Sequence, residues 1–397
     1  GRPPCFCTAT GGRGMRRSHG TAATLATLAA TLAALPGDTR AAEPIQLHIE
    51  GGHQQWLVAT QPELKNGQGQ HPFDTAVVDQ KHNSEVWFTG ETLLTSGLTV
   101  GLTVQLEANT VADQIDESFL FLKSGPSGML QLGDTDNAAY KMAVTAPTGG
   151  VTINDGDLVG IEAFPLPAGF DGTNTTIDST PLTLTDDDSG KFSFYSPRYA
   201  GLQIGLSYIP QFEAGGDNNN SIARVNGSGR ITNGVAAAVN YTSPVAEEAT
   251  LDVSFGWLRG ETPPAEGTSD VWGLSAGVLL TWGALEIGTS VAYANGDAPA
   301  GRSLDGYAYD VGIAYTTGPY RVGLTYIKGV SAGSRADSAR QYLDQVSLSG
   351  TYRLGPGVDL VAGLFAFDAD GEKEVAGAGE VASSSGIGFA SGLKIRF

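Results

Sequence analysis

Residues 385–397 read Ser-Gly-Ile-Gly-Phe-Ala-Ser-Gly-Leu-Lys-Ile-Arg-Phe. Apolar side chains recur at alternate positions, Ile387, Phe389, Leu393, Ile395 and Phe397. Small or charged residues stand between them: Gly388, Ala390, Gly392, Lys394 and Arg396. A period of two gives a strand with one apolar and one wet face. In a soluble domain a terminus of this kind would usually fray in water. A strand that ends on an outward-facing aromatic is instead expected to close a barrel whose apolar face looks at lipid.

The same alternation extends back through the chain. It predicts strands over 44–57, 85–94, 98–107, 115–123, 128–133, 191–199, 202–209, 231–241, 250–259, 271–281, 284–293, 307–316, 320–328, 341–354 and 358–367, making sixteen with 385–397. Segments of about ten residues are what a tilted strand needs to cross a bilayer. The gaps alternate between short turns, such as Trp282-Gly283 and Gly355-Pro356-Gly357, and longer polar runs, such as 212–229 and 371–384. Short turns on one side and long loops on the other are the asymmetry of an outer-membrane barrel. Tyrosines near strand ends, among them Tyr199, Tyr293, Tyr307, Tyr315 and Tyr320, fit interfacial girdles. A soluble β-propeller would need a blade motif about every forty residues, and none recurs. The fold class read here is all-β, a transmembrane antiparallel β-barrel of about sixteen strands.

Composition agrees. Hydrophobic residues make up 41% of the 397, and no run reaches the length of a spanning helix. Alternating faces average out in this way. Arg16 and Arg17, the Ala/Leu/Thr run 21–35, the turn Pro36-Gly37 and the small residues Ala41 and Ala42 have the layout of a secretory signal. We therefore expect residues 1–14 to be an upstream extension before Met15, 15–42 a signal peptide, and 43–397 one barrel. Both cysteines, Cys5 and Cys7, precede Met15. An exported barrel without disulfides is held instead by its closed hydrogen-bonded sheet. The 42 acidic and 23 basic side chains give a formal charge of −19, which excludes nucleic acid as a ready partner and favours cations.

Catalytic chemistry is not written here. His53, His71 and His82 fall in or near the first long gap, but their spacing fits no zinc pattern. No Gly-x-Ser-x-Gly elbow is present. Acidic clusters at Asp134-Thr-Asp136 and Asp186-Asp187-Asp188 suit a hard cation, Ca2+, although neither completes an EF-hand, and a solvated loop explains them as well.

With these segments in place, the chain resembles the Gram-negative general porins of the alphaproteobacterial type. The residues that carry the likeness are Glu85-Val-Trp-Phe-Thr-Gly90, Gly97-Leu-Thr-Val-Gly101, residues 113–119, Leu130-Gln-Leu-Gly-Asp134, residues 194–203 and the terminal Phe397. The resemblance implies a sixteen-stranded homotrimer in outer-membrane lipid and lipopolysaccharide. It also implies a third loop folded into the lumen, and a Phe397 read by the barrel-assembly machinery. The sequence departs from the pattern in having few basic residues on inward positions. The expected constriction loop is 134–190, a polar run of a length that is usually functional. It carries Asp155, Asp157, Glu162, Asp171 and Asp178, with no Lys or Arg between Lys141 and Lys191. Candidates for the opposing basic wall are Lys394, Arg321, Arg353 and Arg396. Carboxylates at a narrow, low-dielectric constriction attract cations, so passive diffusion of small hydrophilic solutes with a cation bias is expected, and no cofactor is required. A barrel with a sealed lumen, serving as an adhesin or anchor, is the alternative.

Overall fold

The computed structural model describes residues 43–108, 114–154, 164–168, 178–184, 188–212, 230–264, 269–298, 302–332, 340–372 and 376–397. Sixteen of its strands form one closed antiparallel barrel. In chain order they are β1 Gln46–Lys65, β2 Val78–Leu93, β3 Thr99–Glu107, β4 Ile115–Ser124, β5 Gly128–Asp134, β6 Gly190–Tyr195, β7 Leu202–Gln211 and β8 Thr232–Ala246. The second half comprises β9 Ala249–Glu261, β10 Val271–Trp282, β11 Leu285–Asn295, β12 Gly306–Thr317, β13 Tyr320–Ala332, β14 Arg340–Gly355, β15 Val358–Asp370 and β16 Ser383–Arg396. A two-residue ribbon, Asp297–Ala298 against Arg302–Ser303, lies outside the barrel sheet.

Closure is made by β1 and β16, in register from Gly52 opposite Arg396 to Lys65 opposite Ser383. Phe397 continues the ladder by exchanging both backbone hydrogen bonds with Gly51. Closure leaves no unpaired edge, the condition for a sheet in hydrocarbon. The long connections all leave one end of the barrel and the tight turns the other. At the tight end Gly318 (φ 55°) and Gly357 (φ 71°) take the left-handed conformation the turns require. A Cβ on Gly357 would also run into the Arg396 carbonyl of the neighbouring strand.

The outward face carries the expected apolar band. Phe255, Val291, Val311, Ile313, Leu348, Leu364 and Ile387 are all exposed on the isolated chain. Tyr315, Tyr320 and Trp282 ring the tight-turn end, and Tyr293, Tyr307 and Tyr342 the loop end. On β1 and β2 the band is broken. The outward positions His53, Gln55, Gln80, His82 and Ser84 are polar, and His53 Nδ1 lies 2.7 Å from Ser84 Oγ. This explains the largest difference from the sequence reading. β1 runs to Lys65 and β2 begins at Val78, beyond the expected 44–57 and 85–94. Paired backbone keeps both strands extended where neither face alternates. β6 also stops at Tyr195 rather than Tyr199, and β8 runs on to Ala246 rather than Tyr241.

Candidate functional site

The described parts of the connection between β5 and β6, residues 135–154, 164–168, 178–184 and 188–189, lie inside the barrel. The connection begins with a one-turn helix, α1 Ala138–Lys141, capped by the Asn137 side chain, which accepts from Ala139 N and Tyr140 N. Asn137 also donates to the Leu182 carbonyl at 2.9 Å, tying the outgoing limb to the returning one. From there the chain runs round the inner wall, and side chains of the wall take up its backbone groups. Ala138 N donates to Ser207 Oγ of β7 (2.9 Å) and Val144 N to Ser254 Oγ of β9 (2.8 Å). Thr325 of β13 donates to the Pro147 carbonyl (2.8 Å), and Arg321 Nε to that of Thr148 (2.7 Å). On β14, Thr351 donates to the Gly149 carbonyl (2.8 Å) and Ser349 accepts from Val151 N (3.2 Å). An extended segment inside a barrel would otherwise bury unpaired backbone, so these contacts decide its seat.

The wall is shaped for this approach. Lumen positions at Gly277 of β10, Gly312 of β12 and Gly323 of β13 admit the loop backbone directly against the sheet. A Cβ at any of them would meet backbone atoms of Val144, Pro147 or Gly149. The contact continues into two apolar cores within the lumen. Val151, Ile153 and Phe164 of the loop pack with Val58, Ile327, Leu343, Val361, Phe365 and Phe367 of the wall. Phe164 stacks on Phe367 at 3.6 Å between ring centroids, 10° from parallel. Leu182 and Leu184 of the returning limb join Ile209, Leu258 and Ala292.

Asp310 of β12 is the strongest single anchor. Its carboxylate is fully buried and accepts four hydrogen bonds. Oδ1 accepts from Ser290 N and from Ser290 Oγ (2.6 Å) on the neighbouring strand. Oδ2 accepts from Ala146 N (3.1 Å) and Asn154 Nδ2 (2.7 Å) of the loop. Sequence reasoning missed this residue. An inward Asp between Ala308 and Gly312 looks like any pore-lining charge, and only the loop above it gives it another role.

Among the described residues the loop lies along β7–β15 and reaches β1 through Phe164, while inward residues of β2 and β3 keep access to the lumen. Asn83, Glu85, Thr89, Thr103 and Gln105, inward residues of β2 and β3, are half-buried only. This side is rich in carboxylates. Glu85 faces Glu107 directly across β2 and β3, and Glu50 lies on the same face of β1. Glu85 accepts from Asn83 Nδ2 at 3.2 Å on the same face.

The expected site residues fall as follows. Asp155, Asp157, Glu162 and Asp171 lie outside the described residues, as do Asp186 and Asp187; Asp178 is described and buried. All four basic candidates point inward, towards the tight-turn end, and three meet carboxylates. Arg321 forms a bidentate pair with Glu286 (2.7 and 2.8 Å), and Arg396 Nη2 lies 2.7 Å from Asp359. Arg353 Nε lies 3.9 Å from the same Asp359. Lys394 sits over the Trp56 ring at 5.2 Å. Of the acidic clusters, Asp136 and Asp188 converge with Glu117, their carboxylate oxygens within 4.8 Å of one another. Lys141 Nζ already stands 2.8 Å from Glu117, so an ammonium supplies positive charge there. The histidines do not meet: His71 pairs with Asp74 and His53 with Ser84.

Residues 22–372 match the family model of the Gram-negative porins. An uncharacterized protein of Rickettsia felis is 25% identical over 317 residues, covering 64% of this chain and 70% of its own length. One from Rickettsia prowazekii is 23% identical over 377 residues, 76% of this chain and 82% of its own. Among solved structures, the outer-membrane channel DcaP of Acinetobacter baumannii superposes with a TM-score of 0.59 at 12% identity, covering 91% of this chain and all of DcaP. OmpT of Vibrio cholerae in its trimer form gives 0.55 at 13%, with 89% and 100% covered. An anion-selective porin from Comamonas acidovorans gives 0.54 at 14%, again with 89% and 100% covered. Likeness at this identity shows the fold alone.

Proposed function

Since this chain belongs to the Gram-negative porin family, an outer-membrane channel for solute diffusion, we propose that it passes small hydrophilic solutes with a bias towards cations. The third loop narrows its lumen to an eyelet in this reading. The observation that carries it is the seating of residues 138–151 along the inner wall, with the carboxylate-bearing face of β1–β3 left opposite. The sign of selectivity has to come from side chains, because the same barrel serves an anion-selective porin. Net charge supports cations, with 42 acidic against 23 basic residues. So does the pairing of Arg321 and Arg396 with carboxylates, which leaves less free positive charge on the facing wall. Fixed carboxylates in a narrow lumen repel anions more strongly than they would in open water.

Assembly as a homotrimer is part of the same proposal. Polar His53, Gln55, Gln80 and His82 at bilayer depth on β1 and β2 are costly against lipid and better accommodated against neighbouring copies. A sealed anchor is the less favoured reading, because the β2–β3 face keeps its access to the lumen. The test is the reversal potential in a salt gradient, for wild type and for the triple variant Asp155→Asn, Asp157→Asn, Glu162→Gln. Wild type should favour K+ over Cl−, and the triple variant should lower that ratio while folding normally. An anion-favouring wild type would refute the bias. An unchanged triple variant would move it to Glu50, Glu85 and Glu107 on the wall.

A further inference from the structure

At the loop end of the lumen a cavity of about 370 Å3 lies between β1, β2, the first long connection and the tip of the third loop. Its floor is apolar: Val58 from β1 and Phe164 and Leu166 from the loop. One side carries Asp79 and Lys81, two apart and on the inward face of β2, with Lys81 Nζ 3.1 Å from Asp79 Oδ2. Thr60 and Thr75 add hydroxyl groups to the lining.

Resting on the channel reading, we propose that this cavity is a vestibular subsite for small zwitterions with an apolar side chain, of the size and chemistry of a free aliphatic amino acid. The volume lies at the lower end of the roughly 300–1,000 Å3 of small-molecule pockets, which suits one such solute and excludes an oligosaccharide. Charge decides the class. A simple anion at Lys81 would leave Asp79 without its partner, and a simple cation at Asp79 would do the same to Lys81. A zwitterion exchanges the pair for two new ones, its ammonium on Asp79 and its carboxylate on Lys81. The existing pair is open to solvent, so exchanging it for new partners costs little. The apolar side chain then gains the floor made by Val58, Phe164 and Leu166, while the hydroxyls accept or donate at the rim. Binding of this kind is weak, as a diffusion channel needs if the solute is to leave again.

The full chain, purified in detergent, is titrated with L-leucine and followed by saturation-transfer NMR, and the same preparation is inserted into planar bilayers. Saturable leucine binding is expected, with a dissociation constant on the order of millimolar. Asp79→Asn and Lys81→Met should each weaken it roughly threefold or more. Glycine, 4-methylpentanoate and 3-methylbutylamine, which lack the side chain, the ammonium and the carboxylate in turn, should be weaker by a similar factor. If Asp79→Asn fails to assemble, Lys81→Met and the three analogues carry the test alone. A preparation that conducts but shows no saturable leucine binding overturns the subsite and leaves the channel standing. Equal binding of leucine and 4-methylpentanoate, or unchanged affinity in Lys81→Met, overturns it too. Leucine binding without conductance supports the subsite and removes the channel.

Discussion

Removing the Asp310 carboxylate should loosen the third loop without opening the barrel. Asp310→Ala abolishes four hydrogen bonds, two to Ser290 within the sheet and two to Ala146 and Asn154 of the loop. Hydrogen bonds to a charged group are worth roughly 1.5–3 kcal/mol each, so the loop loses at most about 3–6 kcal/mol of anchoring. Lumen water re-solvates the freed donors once the loop lifts, which leaves a net change of about 2 kcal/mol, or ~30-fold in the seated-to-lifted ratio. Asp310→Asn should be nearly as damaging, because an amide has one acceptor oxygen and presents an NH2 to donors on the other side. The strand ladder of β11, β12 and β13 is untouched, and heat-modifiable gel migration should stay normal. Single-channel recording is the assay. The variant should show larger, noisier open-channel currents, and liposomes containing it should swell faster in sugars that wild type excludes. Asn154→Ala should reproduce part of the effect and add little to Asp310→Ala, since the two share one bond. Wild-type conductance, noise and swelling in a folded Asp310→Ala variant would refute the anchor.

Other expectations follow from the same contacts. Gly277→Val should drive the loop from the wall and raise conductance, or block assembly outright; a folded channel with wild-type conductance would contradict the close approach of Val144. Arg321→Met frees Glu286 and drops the Thr148 carbonyl, so it should raise the cation-to-anion ratio, read as a shift in reversal potential. Removing Phe397 takes away the last rung opposite Gly51 and should lower the amount of folded barrel in outer-membrane fractions several-fold, with unfolded chain degraded in its place.

The barrel was legible because lipid and lumen impose opposite chemistry on alternate residues. The run from Tyr307 to Tyr315 shows this most plainly, with Tyr307, Tyr309, Val311, Ile313 and Tyr315 outward and Ala308, Asp310, Gly312 and Ala314 inward. Where both faces are polar the signal fades, as at Asp79-Gln80-Lys81-His82-Asn83, and β2 is longer than its pattern. The path of the third loop left no periodic trace in its own residues. Its imprint lies on the wall instead, in inward positions reduced to glycine or serine: Gly277, Gly312, Gly323, Ser254 and Ser349. Such positions read as ordinary small lumen residues until the loop is laid over them. A sequence cannot pair Arg321 of the expected basic wall with Glu286, two strands away, and that pairing changes what charge this part of the wall presents.

Residues 8–397 contain no cysteine, so with Cys5 and Cys7 replaced by serine, single cysteines can be placed in the barrel on a thiol-free background. In the proposed channel water runs along the β2–β3 wall, with the β14 wall covered by the loop. Planar-bilayer conductance of Thr103→Cys and Ser347→Cys channels, before and after a charged, membrane-impermeant methanethiosulfonate, tests it directly. Thr103 is half-buried on the open face, and Ser347 is buried beneath Val151. Both channels should conduct, and the reagent should cut the current of Thr103→Cys while leaving Ser347→Cys unchanged. No conductance from either, or block at Ser347→Cys with none at Thr103→Cys, would contradict the account.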